Sequence, residues 1–117
     1  MSSAKPHFTS AYRAGEFIFV SGQLPFDREM NIVKGGIEEQ TKLVLKNIEQ
    51  ALVAVGSDLA HVAKTMVWLA DPGDFPAFNA TYAEFFPDNP PARATVGSTL
   101  MVPGALIEIE ATAYHPQ

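Results

Sequence analysis

Between Ile37 and Val55 the residues Ile37, Thr41, Val44, Leu45, Ile48, Leu52 and Val55 return at intervals of 3, 4 and 7, the spacing of one face of an α-helix. A helix with one apolar face must lay it against another layer, and the flanking segments say what that layer is. Glu38 and Glu39 occupy the first turn, where the helix dipole favours carboxylates, and Gly56 is placed as the C-terminal cap. Ser57-Asp58 then offers a cap for a short turn.

The flanking segments are of strand type. Residues 7–14 alternate loosely, and Glu16-Phe17-Ile18-Phe19-Val20-Ser21 is aromatic and β-branched, as in a strand buried on both faces. Gly22-Gln23-Leu24-Pro25 stops it, and Asp27 to Lys34 reads as a loop with one short strand around Ile32-Val33. Val62 to Leu69 reads as a strand. Asp71-Pro72-Gly73-Asp74 breaks it and caps a second helix, Phe75 to Phe86, whose apolar stripe is Phe75, Phe78, Tyr82, Phe85 and Phe86. Pro87, Pro90 and Pro91 end that helix. Ala92 to Thr99 and Ala105 to Tyr114 are the last strands, joined through Met101-Val102-Pro103-Gly104.

This order predicts an α+β fold: a mixed sheet of about six strands with two helices on one face. At 117 residues the chain has the length of a single domain over 1–117. Two helices cover only one sheet face, yet several strands are apolar on both. So small a chain cannot cover the second face alone, and the expectation is a homo-oligomer.

Composition narrows the function. A hydrophobic fraction of 47% with 18% charged residues belongs to a folded globule. The net charge of −5, with only eight Lys and Arg, argues against nucleic acid as a partner. No cysteine is present, which excludes disulfides, thiolate zinc and a cysteine nucleophile. The N-terminal run Met1-Ser2-Ser3-Ala4-Lys5-Pro6 lacks the apolar stretch of a signal peptide, and no segment approaches a membrane span. The expectation is a soluble, cytoplasmic protein with no membrane partner.

No glycine-rich dinucleotide fingerprint, phosphate loop, H-E-x-x-H or G-x-S-x-G motif is present. His61 and His115 read as solvated surface residues, and His7, between Pro6 and Phe8, is left open between surface and site. Asn79-Ala80-Thr81 matches a glycosylation acceptor, a chance match without a secretory signal. Ile107-Glu108-Ile109-Glu110-Ala111 carries more weight. In a strand Ile107, Ile109 and Ala111 share one face, and Glu108 and Glu110 the other. Two acids on the face assigned to an oligomer need a cation or water. Either this is an edge strand with solvated glutamates, or it belongs to a polar pocket at a subunit interface. In that pocket Arg93, on a strand after Pro91-Ala92, forks onto a substrate carboxylate, and a glutamate steers a water or proton. Ser21-Gly22-Gln23 at a strand end can present backbone groups to a small ligand. The aromatic stripe of the second helix and Trp68 read as packing, and Asn79 either caps a loop or lines a pocket.

Several stretches together resemble the RidA (YjgF-like) family, whose members also carry the names endoribonuclease L-PSP and translation inhibitor. They are Arg13-Ala14-Gly15 with Phe19-Val20-Ser21-Gly22-Gln23-Leu24-Pro25; Gly36-Ile37-Glu38-Glu39-Gln40-Thr41 with Val44-Leu45-Lys46-Asn47; Val62-Ala63-Lys64-Thr65; Asp74-Phe75 with Asn79 and Tyr82-Ala83-Glu84-Phe85-Phe86; Pro91-Ala92-Arg93; and Ile107 to Ala111. They run in family order over roughly residues 6–114. The resemblance implies a chorismate-mutase-like α+β fold and a homotrimer with clefts between subunits. It implies hydrolysis of reactive enamines and imines, such as 2-iminopropanoate and 2-iminobutanoate, to 2-oxo acids and ammonia, without metal or cofactor. By the family pattern Arg93 clamps the substrate carboxylate and Glu108 positions the attacking water. Gly22 and Asn79 line the cleft, with Ser21 beside Gly22, and Glu110 is structural, paired with a lysine.

Two departures bear on substrate. Where the deaminase branch has Gly-Pro-Tyr this chain has Pro6-His7-Phe8, so Phe8 lines the cleft without a hydroxyl and His7 is a candidate replacement. Thr95 stands where that branch often has Cys or Ser, and Gly97 where it commonly has an acid. The alternative is a non-catalytic member that binds small metabolites or proteins. An RNA-cleaving role fits poorly with the charge and the scattered histidines.

Overall fold

The computed structural model describes residues 7–117; the readings that fall on residues 1–6, the N-terminal run and Pro6 among them, lie outside these. Five strands, β1 (Ala11–Ala14), β2 (Phe17–Gln23), β3 (Val62–Leu69), β4 (Ala92–Gly97) and β5 (Ile107–Tyr114), form one sheet in the order β1-β2-β5-β3-β4. Only β3 and β4 run parallel. A parallel pair needs a crossover, and helix α2 (Phe75–Phe85) supplies it. Helix α1 (Ile37–Val53) packs beside α2 on the same face, so the architecture is α+β as expected.

α1 forms for the reasons its sequence states. Ile37, Thr41, Val44, Leu45, Ile48 and Leu52 are buried, and the Glu39 carboxylate accepts the Gly36 N–H at 3.1 Å. At the other end Gly56 has φ +85°, Ser57 N–H donates to Leu52 O at 2.9 Å and Gly56 N–H to Val53 O at 3.0 Å. That is a Schellman closure around a left-handed glycine. The buried face of α1 meets Ile18 and Val20 of β2, Val67 and Leu69 of β3, and Ile107, Ile109, Ala111 and Ala113 of β5.

Four readings need correction. The sheet has five strands rather than six, because the segment around Ile32-Val33 contributes a single bridge, Phe26 to Ile32. The Asp27 carboxylate accepts the N–H groups of Glu29 and Asn31, each at 2.9 Å, and turns the chain back too tightly for a ladder. β5 lies at the centre of the sheet, which removes the edge-strand account of Glu108 and Glu110. β2 is buried on one face only: Ile18 is buried, whereas Phe17 and Phe19 are 45% and 48% exposed. His61 and His115 are part-exposed at the surface, but they are paired with each other rather than separately solvated. They stack at 3.8 Å and 6°, with His61 Nδ1 2.8 Å from Asp58 Oδ1 and His115 Nδ1 2.7 Å from Ser57 Oγ.

The sheet face away from the helices carries Tyr12, Phe17, Phe19 and Tyr114, the last with its ring 5.2 Å from Phe17. Among the described residues nothing covers it, and no helix among them is long and apolar enough to cross a membrane.

Candidate functional site

The register decides which residues can meet. Thr65 on β3 is level with Ala111 on β5 and with Arg93 on β4. Its hydroxyl hydrogen-bonds the Tyr82 hydroxyl of α2 at 2.7 Å, so all three positions face the helices. Trp68, three residues on, faces the other way and is level with Glu108. Within one chain Arg93 and Glu108 therefore lie on opposite faces of the sheet. A pocket that holds both cannot be formed on one face of a single chain, since a strand alternates strictly and Arg93 falls on the inward phase.

On the outer face, β2 and β5 slip by one residue: Val20 pairs with Ala111 and Gln23 with Ile109, leaving an extra residue in β2 at Ser21-Gly22. Such a bulge re-aims the chain, and here it presents Gly22 to the Glu108 carboxylate. The approach is so close that a side chain at Gly22 would collide with Oε2. Only glycine leaves that space. Ser21 ties the bulge down, donating from its hydroxyl to Thr9 O at 2.6 Å and from its N–H to Ser10 O at 2.9 Å. Burial, and secondarily the charge of Glu110, raise the pKa of Glu108 above the ordinary carboxylate value. Glu110 is exposed and, among the described residues, has no lysine within ion-pair distance, unlike the family expectation. It borders a shallow groove of about 320 Å³ with Thr9, Tyr12, Phe19, Ser21 and Thr112. Phe8 is 60% exposed and borders neither groove.

On the helix side, Arg93 and Asn79 line one groove of about 540 Å³ together with Tyr82, Phe86, Pro90 and Pro91. The prolines that end α2 line it as well. The Arg93 guanidinium lies over the rings of Tyr82, Phe78 and Phe75, 4.8, 5.2 and 5.6 Å from their centroids. Among the described residues it has neither an ion-pair nor a hydrogen-bond partner. Thr95 is two residues further along the same face, its Oγ1 buried and unpartnered. Burial raises the pKa of Tyr82, and the hydrogen bond to Thr65 and the nearby Arg93 charge oppose that rise. Among the described residues no three His, Asp or Glu side chains converge as metal ligands would.

The predicted residues thus fall into two half-sites: Arg93, Asn79 and Thr95 on one face, Glu108, Gly22 and Ser21 on the other. Sequence reasoning missed the support of Arg93, treating Phe75, Phe78 and Tyr82 as plain packing. One signal was available. Thr65 is polar at an inward strand position, and a buried hydroxyl there needs a partner from the facing helix.

A family model described as Endoribonuclease L-PSP matches residues 2–115. A RutC family protein of Pyrococcus horikoshii is 44% identical over 92% of this chain and 86% of its own. The human 2-iminobutanoate/2-iminopropanoate deaminase is 39% identical over 91% of this chain and 78% of its own. The crystal structure of RidA from an Antarctic Psychrobacter superposes with a TM-score of 0.88 at 33% identity, covering 96% of this chain and 91% of that one.

Proposed function

Since the chain belongs to the Endoribonuclease L-PSP family, together with proteins named imine deaminases, we propose that it hydrolyses reactive 2-imino acids to 2-oxo acids and ammonia. The observation that carries this reading is the bare guanidinium of Arg93 at the rim of a groove, with no anion among the described residues to neutralise it. A planar fork of donors in that state calls for a carboxylate. The substrate is then a small 2-imino acid of the 2-iminopropanoate or 2-iminobutanoate type, its carboxylate on Arg93 and its amide contacts from Asn79.

Glu108 supplies the second half. Its carboxylate accepts a proton from water as the water oxygen attacks the C=N carbon, and the imine nitrogen takes up a proton. The resulting carbinolamine collapses with cleavage of the C–N bond. Water and the imino acid become the 2-oxo acid and ammonia, with no change of oxidation state and no metal or cofactor required. An imine is already electrophilic, so orientation and one polarised water suffice. Gly22 and Ser21 keep Glu108 in place from the bulge.

Because Arg93 and Glu108 face opposite sides of one sheet, the working site is composed from two copies of the chain. The homotrimer implied by the family resemblance provides this, with clefts between subunits and the aromatic face of Phe17, Phe19 and Tyr114 buried against a neighbour. Phe8, without a hydroxyl, and Thr95 then border the cleft and tune which imine is preferred.

The test is ammonia release from 2-iminopropanoate and 2-iminobutanoate, generated in situ by an amino-acid oxidase, for the wild type and Arg93→Ala. Acceleration by the wild type that vanishes in the variant supports the reading. Wild type without acceleration that still binds 2-oxobutanoate is the non-catalytic binding alternative, which the missing hydroxyl at Phe8 favours.

A further inference from the structure

Arg93 stands at an inward strand position, where a charge must be stabilised or excluded. No carboxylate of the described chain approaches it, and three aromatic rings of α2 take that place, with Tyr82 nearest at 4.8 Å. Rings within about 6 Å of a guanidinium attract it through their negative faces. They hold the charge without consuming any of its N–H donors, which stay free for a ligand. Phe78 is fully buried, and Phe75 is 39% exposed.

Tyr82 differs from the other two rings in having a second anchor. It is 4% exposed, and its hydroxyl meets the hydroxyl of Thr65, 1% exposed, at 2.7 Å. Thr65 is in turn the β3 residue level with Arg93 on β4. The ring beneath the guanidinium is therefore tied by one buried hydrogen bond to the strand that pairs with the arginine's own. A ring free to tilt about its χ2 would let the guanidinium fork tilt with it.

We infer that Tyr82 and Thr65 are positioning residues for the Arg93 guanidinium, setting the affinity of the groove for a carboxylate through the orientation of that guanidinium. This rests on the proposed role of Arg93 as the carboxylate clamp. Tyr82→Phe keeps the ring and removes the tie, and Thr65→Val removes the same tie from the other end.

The experiment measures 2-oxobutanoate affinity by calorimetry, kcat/KM for 2-iminobutanoate, and Tm, for Tyr82→Phe, Thr65→Val, the double variant and Arg93→Ala. Each single variant weakens 2-oxobutanoate about fivefold, the worth of one hydrogen bond. The fall in kcat/KM matches the fall in affinity, because ground state and transition state lose the same contact. Each single variant lowers Tm by orphaning a buried hydroxyl, and the double variant recovers Tm while its affinity stays as weak as in the singles. Affinity that recovers along with Tm, or that is unchanged in all three while Arg93→Ala abolishes binding, overturns the positioning role alone. Undiminished binding and turnover in Arg93→Ala overturn the clamp itself.

Discussion

Replacing Gly22 by alanine puts a methyl group against the Glu108 carboxylate, into contact with Oε2 and 3.2 Å from Cδ. The obstacle is the far end of a flexible side chain, not backbone, and Gly22 needs no left-handed conformation. The fold therefore accommodates the change by turning the Glu108 side chain aside, at a cost of about 1 kcal/mol for a strained rotamer. A carboxylate that must hold a water in line with an imine carbon is less forgiving. Displacement by about 1 Å costs roughly 100-fold in rate. Gly22→Ala should lower imine turnover about 100-fold with Tm within a few degrees of wild type, read by ammonia release and by thermal unfolding. Undiminished turnover would refute the placement of the attacking water at Glu108. A large fall in Tm would show that Gly22 serves the bulge in β2 rather than the carboxylate.

Arg93→Lys should lose most carboxylate affinity, read as 2-oxobutanoate binding, because a point charge cannot fork; binding within twofold of wild type would count against bidentate recognition. Glu108 acts as a base only when ionised, so turnover should fall as pH drops through its raised pKa, above the ordinary carboxylate range. Glu110→Gln removes the smaller cause of that rise and should move the acid limb to lower pH without restoring it fully. By linkage, a raised acid pKa favours the folded state below the unfolded value and loses that contribution as pH rises through the folded one; urea midpoints from pH 4 to 7 should show the loss shrinking in Glu110→Gln. Gln40, 2% exposed, donates to Gly104 O at 3.1 Å and accepts the Leu106 N–H at 2.7 Å. Gln40→Leu should cost about 2–4 kcal/mol in urea unfolding by orphaning both groups, and a loss of a few tenths would mean that the loop before β5 is held otherwise. Phe19→Glu should lower the mass seen by sedimentation, while an unchanged mass would place the subunit contact elsewhere.

Much of the fold is legible in the sequence because it rests on local periodicity. The 3-4-7 spacing from Ile37 states α1 and its buried face, Gly56 states where it ends, and alternation in Ile107 to Ala111 states which residues of β5 face inward. Each of these is settled within a few residues of chain. The short segment at Ile32-Val33 was misread for the complementary reason: its composition suits a strand, but the Asp27 turn leaves it no partner beyond one bridge.

What the sequence by itself determined is the set of elements, their apolar faces, and the residue types capable of carboxylate binding and proton transfer. What only the tertiary structure decided is how those residues are shared out. Strand order puts β5 at the centre, and the parallel pairing of β4 with β3 turns Arg93 toward α2 while Glu108 faces away. Neither follows from local pattern, because pairing register joins residues tens of positions apart and a shift of one residue reverses every side chain. The rings under Arg93 and the hydroxyl pair of Tyr82 and Thr65 likewise exist only once the crossover helix is laid on the sheet.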